Sequence, residues 1–424
     1  MFAQALVREA EKDDKIVAIG SGLTAPETID CTGLVALPGF VDLHTHLREP
    51  GFEQSETVLP GTQAAAMGGF TAVHAMANTS PVADTAGVVE QVAALGREAG
   101  YADVFPIGAV TVGLEGKQLA ELGAMADSIA AVRIFSDDGN CVADPLIMRR
   151  ALEYVKTYNG IIAQHAQEPR LTINAQMNEG SVSARIGLPG WPAIAEEAII
   201  ARDILLAEHV QSRLHICHVT TAGGVELIRW AKKRGIQVTA EVTPHHLLLT
   251  DELVENYDPI YKVNPPLRTQ KDVMALREGL AEGIIDVVAT DHAPHSEEHK
   301  DCEWQAAAFG MLGLETSLSV VIKTMIESKL MDWSQLVDRM SVRPAQIAGY
   351  KTQGQSIKEG SVANLLLLDP SSNWQVDRNK MKSKSRNTPF QGMTLPGVIT
   401  DVIYNGNFSM KSGNVMSMNV GNNG

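Results

Sequence analysis

The segment Val41-Asp42-Leu43-His44-Thr45-His46-Leu47-Arg48 places two histidines, two residues apart, at the end of an apolar run. Successive side chains of a strand alternate between its faces, so His44 and His46 point the same way and can bind one metal ion. An isolated His-x-His pair is only a weak indication of such a site. Here, further His and Asp residues also follow apolar, strand-like segments, namely Asp137, Asp138, His165, His218 and Asp291. The sequence therefore predicts a metal centre assembled from five strand ends.

Apolar, β-branched segments alternate with amphipathic segments along the chain. The predicted strands are 38–46, 70–78, 104–111, 131–138, 161–166, 214–219, 237–244 and 286–292. Helical patterns lie between them, for example at 83–98, 145–158, 193–208 and 222–234. Eight strand-and-helix units over about 300 residues match an α/β fold, the (β/α)8 barrel of the TIM type, whose functional side chains lie at the C-terminal ends of the strands. A doubly wound open sheet is the alternative, but it would not bring the ends of strands 1, 4, 5, 6 and 8 together.

Both ends of the chain have a different pattern. Short strand-like segments occur near the N-terminus at Ala5–Arg8, Lys15–Ile19 and Leu34–Leu37. Strands interrupted by Gly and Asn turns occur near the C-terminus at 354–370 and 397–408. We expect these two ends to pair into one small β-sandwich beside the barrel.

This pattern predicts a division of the chain into three segments. They are 1–37 (N-terminal part of the β-sandwich), 38–343 (barrel) and 344–424 (C-terminal part of the β-sandwich). The order of the strand-like pieces also suggests that a strand before Met1 is missing. At the other end, the polar stretch Asn419–Gly424 is expected to fray.

Composition and charge exclude several classes of protein. The chain has 424 residues, 45% hydrophobic and 20% charged, which suits one large barrel plus a smaller unit. No apolar run reaches the length of a membrane span, and the N-terminus lacks the order of a signal peptide, so we expect a cytoplasmic protein. The cysteines lack a C-x-x-C spacing and are expected to be free thiols. A net charge of -15 disfavours nucleic acid and anionic membranes as partners, so an anionic substrate would need a local cationic pocket.

The ligand types indicate which metal the predicted centre takes. Imidazoles and carboxylates without thiolates suit Zn²⁺, with Mn²⁺ or Co²⁺ as substitutes. Asp137 and Asp138 are neighbours on a strand, so their side chains point opposite ways and only one is expected in the site. A carboxylate there can bridge two metal ions about 3.5 to 4 Å apart, which polarise a carbonyl and generate a nucleophile near neutral pH. Asp291 can also take a proton and return it to a departing nitrogen.

Other histidines near these positions are assigned to the fold. His215 lies three residues before His218, so it is expected to face the other side of its strand and to pack there. His245 and His246 follow Thr243-Pro244 without the strand-end placement of the other candidates. We expect them to support the ligands or the fold and not to bind metal.

Five motifs follow one another along the chain: His44-Thr45-His46-Leu47-Arg48-Glu49-Pro50-Gly51, Phe135-Ser136-Asp137-Asp138-Gly139, Asn264-Pro265-Pro266-Leu267-Arg268, Asp291-His292-Ala293-Pro294-His295 and Gly313-Leu314-Glu315-Thr316. Together they resemble the motifs of bacterial class I dihydroorotases, which belong to the amidohydrolase superfamily. The resemblance covers nearly the whole chain. It implies the reversible hydrolysis of (S)-dihydroorotate to N-carbamoyl-L-aspartate, run towards ring closure in de novo pyrimidine (UMP) biosynthesis.

The resemblance also implies the roles of individual residues. One zinc would be bound by His44, His46 and Asp291, a second by His165 and His218, and Asp138 would bridge them. The substrate would be bound by His46, Arg48, Asn78, Asn264, His295, Phe309 and Gly310, and Asp291 would be catalytic. Arg48 also has a physical rationale, because a guanidinium matches a carboxylate with two parallel donors and supplies the positive charge that an acidic protein lacks.

Two alternative functions stay open. The first is another cyclic-amide hydrolase, namely a hydantoinase, a dihydropyrimidinase or an allantoinase; such relatives generally bridge their metals with a carboxylated lysine on strand 4, and residues 132–139 contain no lysine. The second is a non-catalytic dihydroorotase-like scaffold for aspartate transcarbamoylase, which would be expected to lose ligands, whereas every ligand position is kept here. We expect a homodimer that acts on a small molecule, and association with aspartate transcarbamoylase stays open as an added role.

Overall fold

The computed structural model describes residues 4–7, 14–25 and 28–418. Its strands, in chain order, are β1 (Gln4–Val7), β2 (Ile16–Gly20), β3 (Val35–Pro38), β4 (Phe40–Thr45), β5 (Phe70–Ala75), β6 (Asp103–Pro106), β7 (Ile134–Phe135), β8 (Ile161–Gln164), β9 (Met177–Asn178), β10 (Gly190–Trp191), β11 (Arg213–Ile216), β12 (Val238–Val242), β13 (Val287–Val288), β14 (Leu365–Gln375), β15 (Thr394–Tyr404), β16 (Asn407–Lys411) and β17 (Asn414–Val415).

The α-helices are α1 (Val58–Met67), α2 (Ala86–Ala99), α3 (Leu122–Asp127), α4 (Pro145–Val155), α5 (Ser181–Ile186), α6 (Ile194–Val210), α7 (Ala222–Lys233), α8 (Pro244–Leu248), α9 (Gln270–Glu282), α10 (Glu297–Lys300), α11 (Ser317–Val321), α12 (Trp333–Val337) and α13 (Arg343–Ala348). Short 3-10 helices occur at Val112–Leu114, Lys156–Tyr158, Asp251–Asn256, Pro259–Tyr261 and Leu314–Thr316, and π-helical turns at Ile322–Ile326 and Asp338–Val342.

Eight parallel strands form a barrel in the order in which they occur in the chain. One sheet contains β4, β5 and β6, and another contains β7, β8, β11, β12 and β13. Parallel bridges between Gly108 and Phe135, and between Thr45 and His292, join the edges of these sheets. At the second junction the backbone amide of His46 donates to the carbonyl oxygen of His292 at 2.8 Å. The predicted TIM-type barrel is therefore confirmed.

Local sequence signals explain where the outer helices begin and end. At α7, the hydroxyl of Thr221 accepts a hydrogen bond from the amide of Gly224 at 3.1 Å. The helix stops before Gly235, which has a φ of +74°, a conformation that favours glycine. At α4, Asp144 accepts from the amides of the first turn, and Pro145 occupies the first helical position. Helices α4 and α7 therefore lie within their predicted spans, whereas α2 and α6 each end one or two residues beyond theirs.

Apolar packing holds the strands of the barrel between two layers. The largest cluster joins strand residues such as Ile162 and Val288 to helix residues such as Val155 and Ile228, and all four are buried. A second cluster contains strand residues of the barrel together with Ile347 of α13. Helices therefore pack around the outside of the barrel, and α13 packs against a second group of strand residues. The C-terminal ends of the strands remain available to form the site.

The two ends of the chain meet in a separate β-structure, as expected. A five-stranded antiparallel sheet has the order β17-β16-β15-β14-β3, and β1 pairs with β2. Ile16 of β2 packs in one buried cluster with Leu365, Leu367 and Ile403 of the larger sheet. The strands predicted within 354–370 are confirmed only from Leu365, where β14 begins. The preceding residues form turns, which contact the N-terminal segment through the bridge from Lys15 to Val362 and through backbone hydrogen bonds between Ile16 and residues 360 and 361.

We propose a division of the chain close to the predicted one, with the first boundary at the end of β3. The predicted second boundary, after residue 343, falls within α13, whose Ile347 packs on the barrel, so we place that boundary after Ala348. Strand β3 pairs with β14 of the terminal sheet, and β4, the first barrel strand, begins two residues after β3 ends. Arg8 and the expected frayed end Asn419–Gly424 lie outside the described residues. Among residues 4–7, 14–25 and 28–418, no helix combines the length and the apolar character needed to cross a membrane.

Candidate metal centre

Five barrel strands deliver the predicted ligands to one point. His44 and His46 lie at the end of β4, while Asp138, His165, His218 and Asp291 follow the ends of β7, β8, β11 and β13. Two of these residues have unusual backbone conformations: φ is +29° at His218 and +45° at Asp291. Left-handed conformations of residues other than glycine are costly and concentrate at functional sites. The chain therefore turns sharply at these two positions to direct the side chains inwards.

Asp138 lies at the centre of the cluster, with one oxygen towards each histidine pair. Its Oδ2 is 3.3 Å from Nε2 of His44 and 3.4 Å from Nε2 of His46. Its Oδ1 is 3.3 Å from Nδ1 of His165 and 3.1 Å from Nε2 of His218. Asp291 lies on the first side, 3.0 Å from Nε2 of His46. The structure thus brings all six predicted ligands together, in two groups that share Asp138.

The outward nitrogens of three of these imidazoles contact other side chains. Nδ1 of His44 is 2.6 Å from Oε1 of Glu241, Nδ1 of His46 is 2.9 Å from Oδ1 of Asn78, and Nε2 of His165 is 2.7 Å from Oε1 of Gln167. Each of these oxygens can only accept, so the imidazole nitrogen facing it is the protonated one. The other nitrogen of each ring then faces the cluster, where it can bind either a proton or a metal ion. This arrangement, in which a partner fixes the tautomer, is typical of histidines that bind metal.

The carboxylates and imidazoles of the cluster strongly perturb one another. Burial alone would lower the pKa of His44, but the carboxylates of Asp138, Glu241 and Asp291 outweigh it and raise that pKa well above its usual value. Burial alone would raise the pKa of Asp138, but the charge of His44 and hydrogen bonds from the other imidazoles hold that pKa well below its usual range. The cluster therefore attracts positive charge, and a metal ion would compete with protons for the same lone pairs.

The donor set fits a metal ion. The six residues are at most 4% exposed. Among the described residues, the buried Nε2 of His44 has no hydrogen-bond partner, although a carboxylate oxygen lies close by. A buried acceptor without a partner is costly unless a cation binds it. The ligand atoms of His44, His46 and Asp138 lie within 4.8 Å of one another, as do those of Asp138, His165 and His218.

Asp137 has a different role from its neighbour. Its Oδ1 accepts from the amides of Val110 and Thr111 at 2.8 and 3.0 Å, and its Oδ2 accepts from the Thr111 hydroxyl. The carboxylate thus fixes the loop that follows β6. Only one of the two aspartates enters the cluster, as expected, although both lie beyond the end of β7 and their opposite directions do not come from strand alternation.

Arg48 and His295 lie side by side at the rim of the cluster. Arg48 has a φ of +62°, and its Nε donates to the carbonyl oxygen of Pro294 at 3.2 Å. Nε2 of His295 lies 2.8 Å from the carbonyl oxygen of Phe309, so this nitrogen is the donor. Burial and the nearby charge of Arg48 lower the pKa of His295 to about 3. Burial also lowers the pKa of Arg48, to about 10, so at neutral pH a cation and a neutral imidazole line this rim.

The remaining candidate substrate contacts lie around the same opening. Asn78 contacts His46, and Nδ2 of Asn264 is 3.4 Å from Oε1 of Gln167, which in turn holds His165. Oδ1 of Asn264 is buried and has no hydrogen-bond partner among the described residues. This oxygen is therefore available to a donor on a bound molecule.

Glycine is required at position 310 for steric reasons. Its φ is +145°, and an added Cβ would lie 2.7 Å from Nε2 of His295 and 2.8 Å from Cβ of Ala293. The amide of Gly310 already donates to the carbonyl oxygen of Lys262 at 3.0 Å. A substrate contact at Gly310 would therefore depend on close approach to the backbone and not on this amide.

Several residues of the site were missed by the sequence reasoning. Glu241 is the charged residue of strand β12 and lies there in a fully buried stretch, which is a signal that could have identified it. The prediction for His215 was wrong: its Nε2 is 3.0 Å from Oε2 of Glu241. Strand β11 ends at Ile216, so the alternation of faces does not continue to His218. His215 therefore supports Glu241, which contacts His44, while His246 is held by Thr243 and Pro265 as a structural residue.

The fold is shared with solved structures of cyclic-amide hydrolases. An L-hydantoinase (dihydropyrimidinase) from Arthrobacter aurescens has a TM-score of 0.86 and 27% sequence identity, with 96% of this chain and 92% of that chain covered. A dihydropyrimidinase from Brevibacillus agri has a TM-score of 0.82 at 24% identity, covering 98% and 92% of the two chains, and shows the fold alone. The barrel, the terminal β-sandwich and the His and Asp cluster together define the class as hydrolases of the amidohydrolase superfamily.

Similarity in sequence is more specific. A Dihydro-orotase-like family model matches residues 33–223. A dihydroorotase from Streptomyces coelicolor is 65% identical over 94% of this chain and 94% of its own length. A dihydroorotase from Mycobacterium tuberculosis is 53% identical over 95% of this chain and 94% of its own length. The chain therefore belongs to the dihydroorotase family, which confirms the resemblance that the motifs indicated.

Proposed function

We propose that this protein is a dihydroorotase, which reversibly hydrolyses (S)-dihydroorotate to N-carbamoyl-L-aspartate in pyrimidine biosynthesis. The observation that carries the proposal is the shared carboxylate of Asp138 between two histidine pairs, with the Arg48 guanidinium at the rim of the same opening. The test is an assay of the purified protein in both directions, with dihydroorotate and with N-carbamoyl-L-aspartate. Absence of turnover in both directions by metal-loaded protein would refute the proposal.

Two zinc ions are the proposed cofactors. His44, His46 and Asp291 would hold the first ion. His165 and His218 would hold the second ion, and Asp138 would bind both. When bound, such ions polarise the ring carbonyl and make water nucleophilic near neutral pH. The protein itself fixes the tautomers of the ligands through Glu241, Asn78 and Gln167. This support keeps the lone pairs aligned before any metal arrives.

Metal content is the first prediction. Protein purified without chelator is expected to contain about two metal ions per chain, mainly zinc, because two groups of ligands share one bridging carboxylate. Elemental analysis measures this number, and protein treated with chelator and then reloaded serves as the control. An active preparation that contains no transition metal would show that the cluster has another purpose.

Arg48 is the proposed binding group for the substrate carboxylate. It lies two residues after His46, and the hydrogen bond from its Nε to Pro294 sets the direction of the guanidinium. A guanidinium can donate two parallel hydrogen bonds to a carboxylate. The remaining proposed substrate contacts are His46, Asn78, Asn264, His295, Phe309 and Gly310, which line the same opening.

The second prediction concerns this carboxylate contact. Arg48→Ala is expected to reduce kcat/KM for dihydroorotate by about 10- to 100-fold, since it removes charge-assisted hydrogen bonds. Metal content is expected to stay the same, because the guanidinium meets the substrate and not the metal. An uncharged cyclic imide serves as the second substrate, and Arg48→Lys as the variant that keeps the charge without the two parallel donors. Equal losses for both substrates would contradict the assignment of Arg48 to the carboxylate.

The alternative functions fit less well. Hydantoinases and dihydropyrimidinases share the fold, but residues 132–139 offer no lysine for carboxylation, and the central position is occupied by Asp138. A neutral cyclic amide would leave the charge of Arg48 without a partner on the substrate. A scaffold without activity would not require six buried ligands with fixed tautomers. Dihydroorotase activity accounts for all of these features.

A cellular location and an assembly are also proposed. Cys31, Cys141, Cys217 and Cys302 carry free thiols, which suits a reducing compartment such as the cytoplasm. A homodimer and association with aspartate transcarbamoylase follow only from the family resemblance. Sedimentation of the protein, alone and with aspartate transcarbamoylase, would test both.

A further inference from the structure

A segment of the C-terminal unit crosses the opening of the barrel. Residues 382–387, which we call the strap, lie between β14 and β15. Buried Glu56 accepts from the amide of Lys384 at 3.1 Å and from the hydroxyl of Ser383. Glu315, within one of the sequence motifs, accepts from the amide of Lys382 at 2.9 Å. Carboxylates of the barrel therefore hold the strap in place, which gives the motif around Glu315 a structural reason.

Asn387 ends the strap and is only 3% exposed. Its side-chain oxygen accepts from the backbone amide of His295 at 3.2 Å. Its side-chain nitrogen donates to the carbonyl oxygens of Ala293 at 2.9 Å and Gly310 at 3.2 Å. One amide group therefore joins the two segments, 293–295 and 309–310, that line the substrate opening.

The chemistry of an amide is required for this set of contacts. One of the three partners is a donor and two are acceptors, and only Asn and Gln combine an acceptor with two donors on one planar group. The backbone carbonyl oxygen of Asn387 also accepts from the amide of Leu312 at 3.2 Å, which fixes the position of the side chain. The strap thus presents a group that matches both segments of the barrel.

We propose that Asn387 is a positioning residue that sets the distance between His295 and the Phe309–Gly310 segment, so that the C-terminal unit completes the substrate site. The inference rests on the proposed dihydroorotase function, because it assigns a substrate contact to His295. His295 is also joined to Phe309 through its Nε2. Without Asn387, the two segments would still be joined by this contact and by the bond from the Ala293 amide to Met311, but the backbone amide of His295 would lose its partner and the imidazole beside Arg48 would lose its fixed position.

The discriminating variant is Asn387→Asp, which keeps the shape of the side chain. It replaces the NH₂ group by an oxygen that faces the carbonyl oxygens of Ala293 and Gly310, so two hydrogen bonds become repulsive contacts. Asn379→Asp is the matched control, because Asn379 is exposed on the same connection between β14 and β15 and receives the same change of charge. If Asn387→Asp does not fold, Asn387→Ser, which can keep only part of the contacts, takes its place.

The measurement is kcat and KM for dihydroorotate, each expressed per metal-loaded chain, together with the melting temperature. For a positioning role, KM is expected to rise about tenfold or more through the loss of two hydrogen bonds, while metal content stays unchanged. The Asn379→Asp protein is expected to keep the KM of the wild type. A purely structural role predicts a lower melting temperature with an unchanged KM, and that result would overturn the proposal. Lack of activity in the wild type would instead refute the proposed function itself.

Discussion

Replacing Asp291 with asparagine is expected to reduce dihydroorotate turnover by about 10²- to 10⁴-fold, the usual contribution of a positioned proton transfer. In hydrolysis, the departing ring nitrogen needs a proton, and in ring closure the carbamoyl nitrogen must lose one. We propose that Asp291 carries this proton; by microscopic reversibility it would then serve in both directions, so both rates are expected to fall together. The Asn side chain can still offer an oxygen to a metal but cannot cycle a proton. Asp291→Ala, which also removes the ligand, is expected to lose nearly all activity.

Asp286 provides the control for this experiment. It lies just before β13, at the other end of the strand that leads to Asp291, and its carboxylate is buried between Lys232 at 2.6 Å and Arg343 at 3.1 Å. Asp286→Asn is expected to lower stability by about 1 to 3 kcal/mol, because its side-chain nitrogen would face donors of Lys232 or Arg343 that now bind a carboxylate oxygen. It is expected to leave the rate per folded chain unchanged. The measurements are metal content and pH-rate profiles in both directions. A metal-loaded Asp291→Asn protein with a rate near that of the wild type would show that the proton travels by another route.

The strands of the barrel could be predicted from sequence because buried parallel strands are continuous apolar runs. The lengths of these strands could not be predicted. Residues 131–138 and 286–292 were predicted as strands, but β7 and β13 contain two residues each. The residues that follow these strands leave the sheet to reach the cluster, as the φ of +45° at Asp291 indicates. The requirement to direct ligands inwards therefore shortens the strands that carry them.

The six candidate ligands could be found because His and Asp at strand ends stand out against apolar segments. Their supporting residues could not be found in the same way. Glu241 contacts His44 across 197 positions of sequence, a pairing that exists only once the barrel has closed. His215 was assigned to the wrong face for the same reason, since its partner is Glu241. The residue pattern of one strand predicts which way a side chain points, but it does not predict which residue from another strand that side chain contacts.

The position of the strap could not be predicted from sequence patterns. Asn387 lies 92 positions from His295, in a polar connection between two strands of another unit. Polar connections between strands are normally read as solvent-exposed turns. Only the folded arrangement reveals that this connection passes over the barrel and buries its amide side chain. The sequence thus indicated which residues lie at the cluster and at its rim, whereas the contact between the rim and the C-terminal unit is visible only in the folded structure.

Asp138→Asn is the second substitution with a large expected effect. The carboxylate has one oxygen towards His44 and His46 and the other towards His165 and His218. The substitution removes its negative charge and places a nitrogen against one of the two histidine pairs. Changing a residue that merely supports a ligand costs about 10- to 100-fold in affinity or activity. Loss of a ligand shared by both groups is therefore expected to cost at least about 10²-fold in turnover, with metal content falling below two ions per chain.

The neighbouring residue provides a closely matched control. Asp137→Asn makes the same change one position away, but it affects the bonds to Val110 and Thr111 and not the cluster. The hydroxyl of Thr111 accepts from the amide of Gly116 and donates its proton to Oδ2 of Asp137. In the Asp137→Asn protein, a side-chain nitrogen at the position of Oδ2 would face this donor. We expect a lower melting temperature, with metal content and turnover per folded chain close to those of the wild type. If the two variants lost metal equally, the assignment of the bridge to Asp138 would be wrong, and the aspartates would have to act on the cluster through the loop that they share.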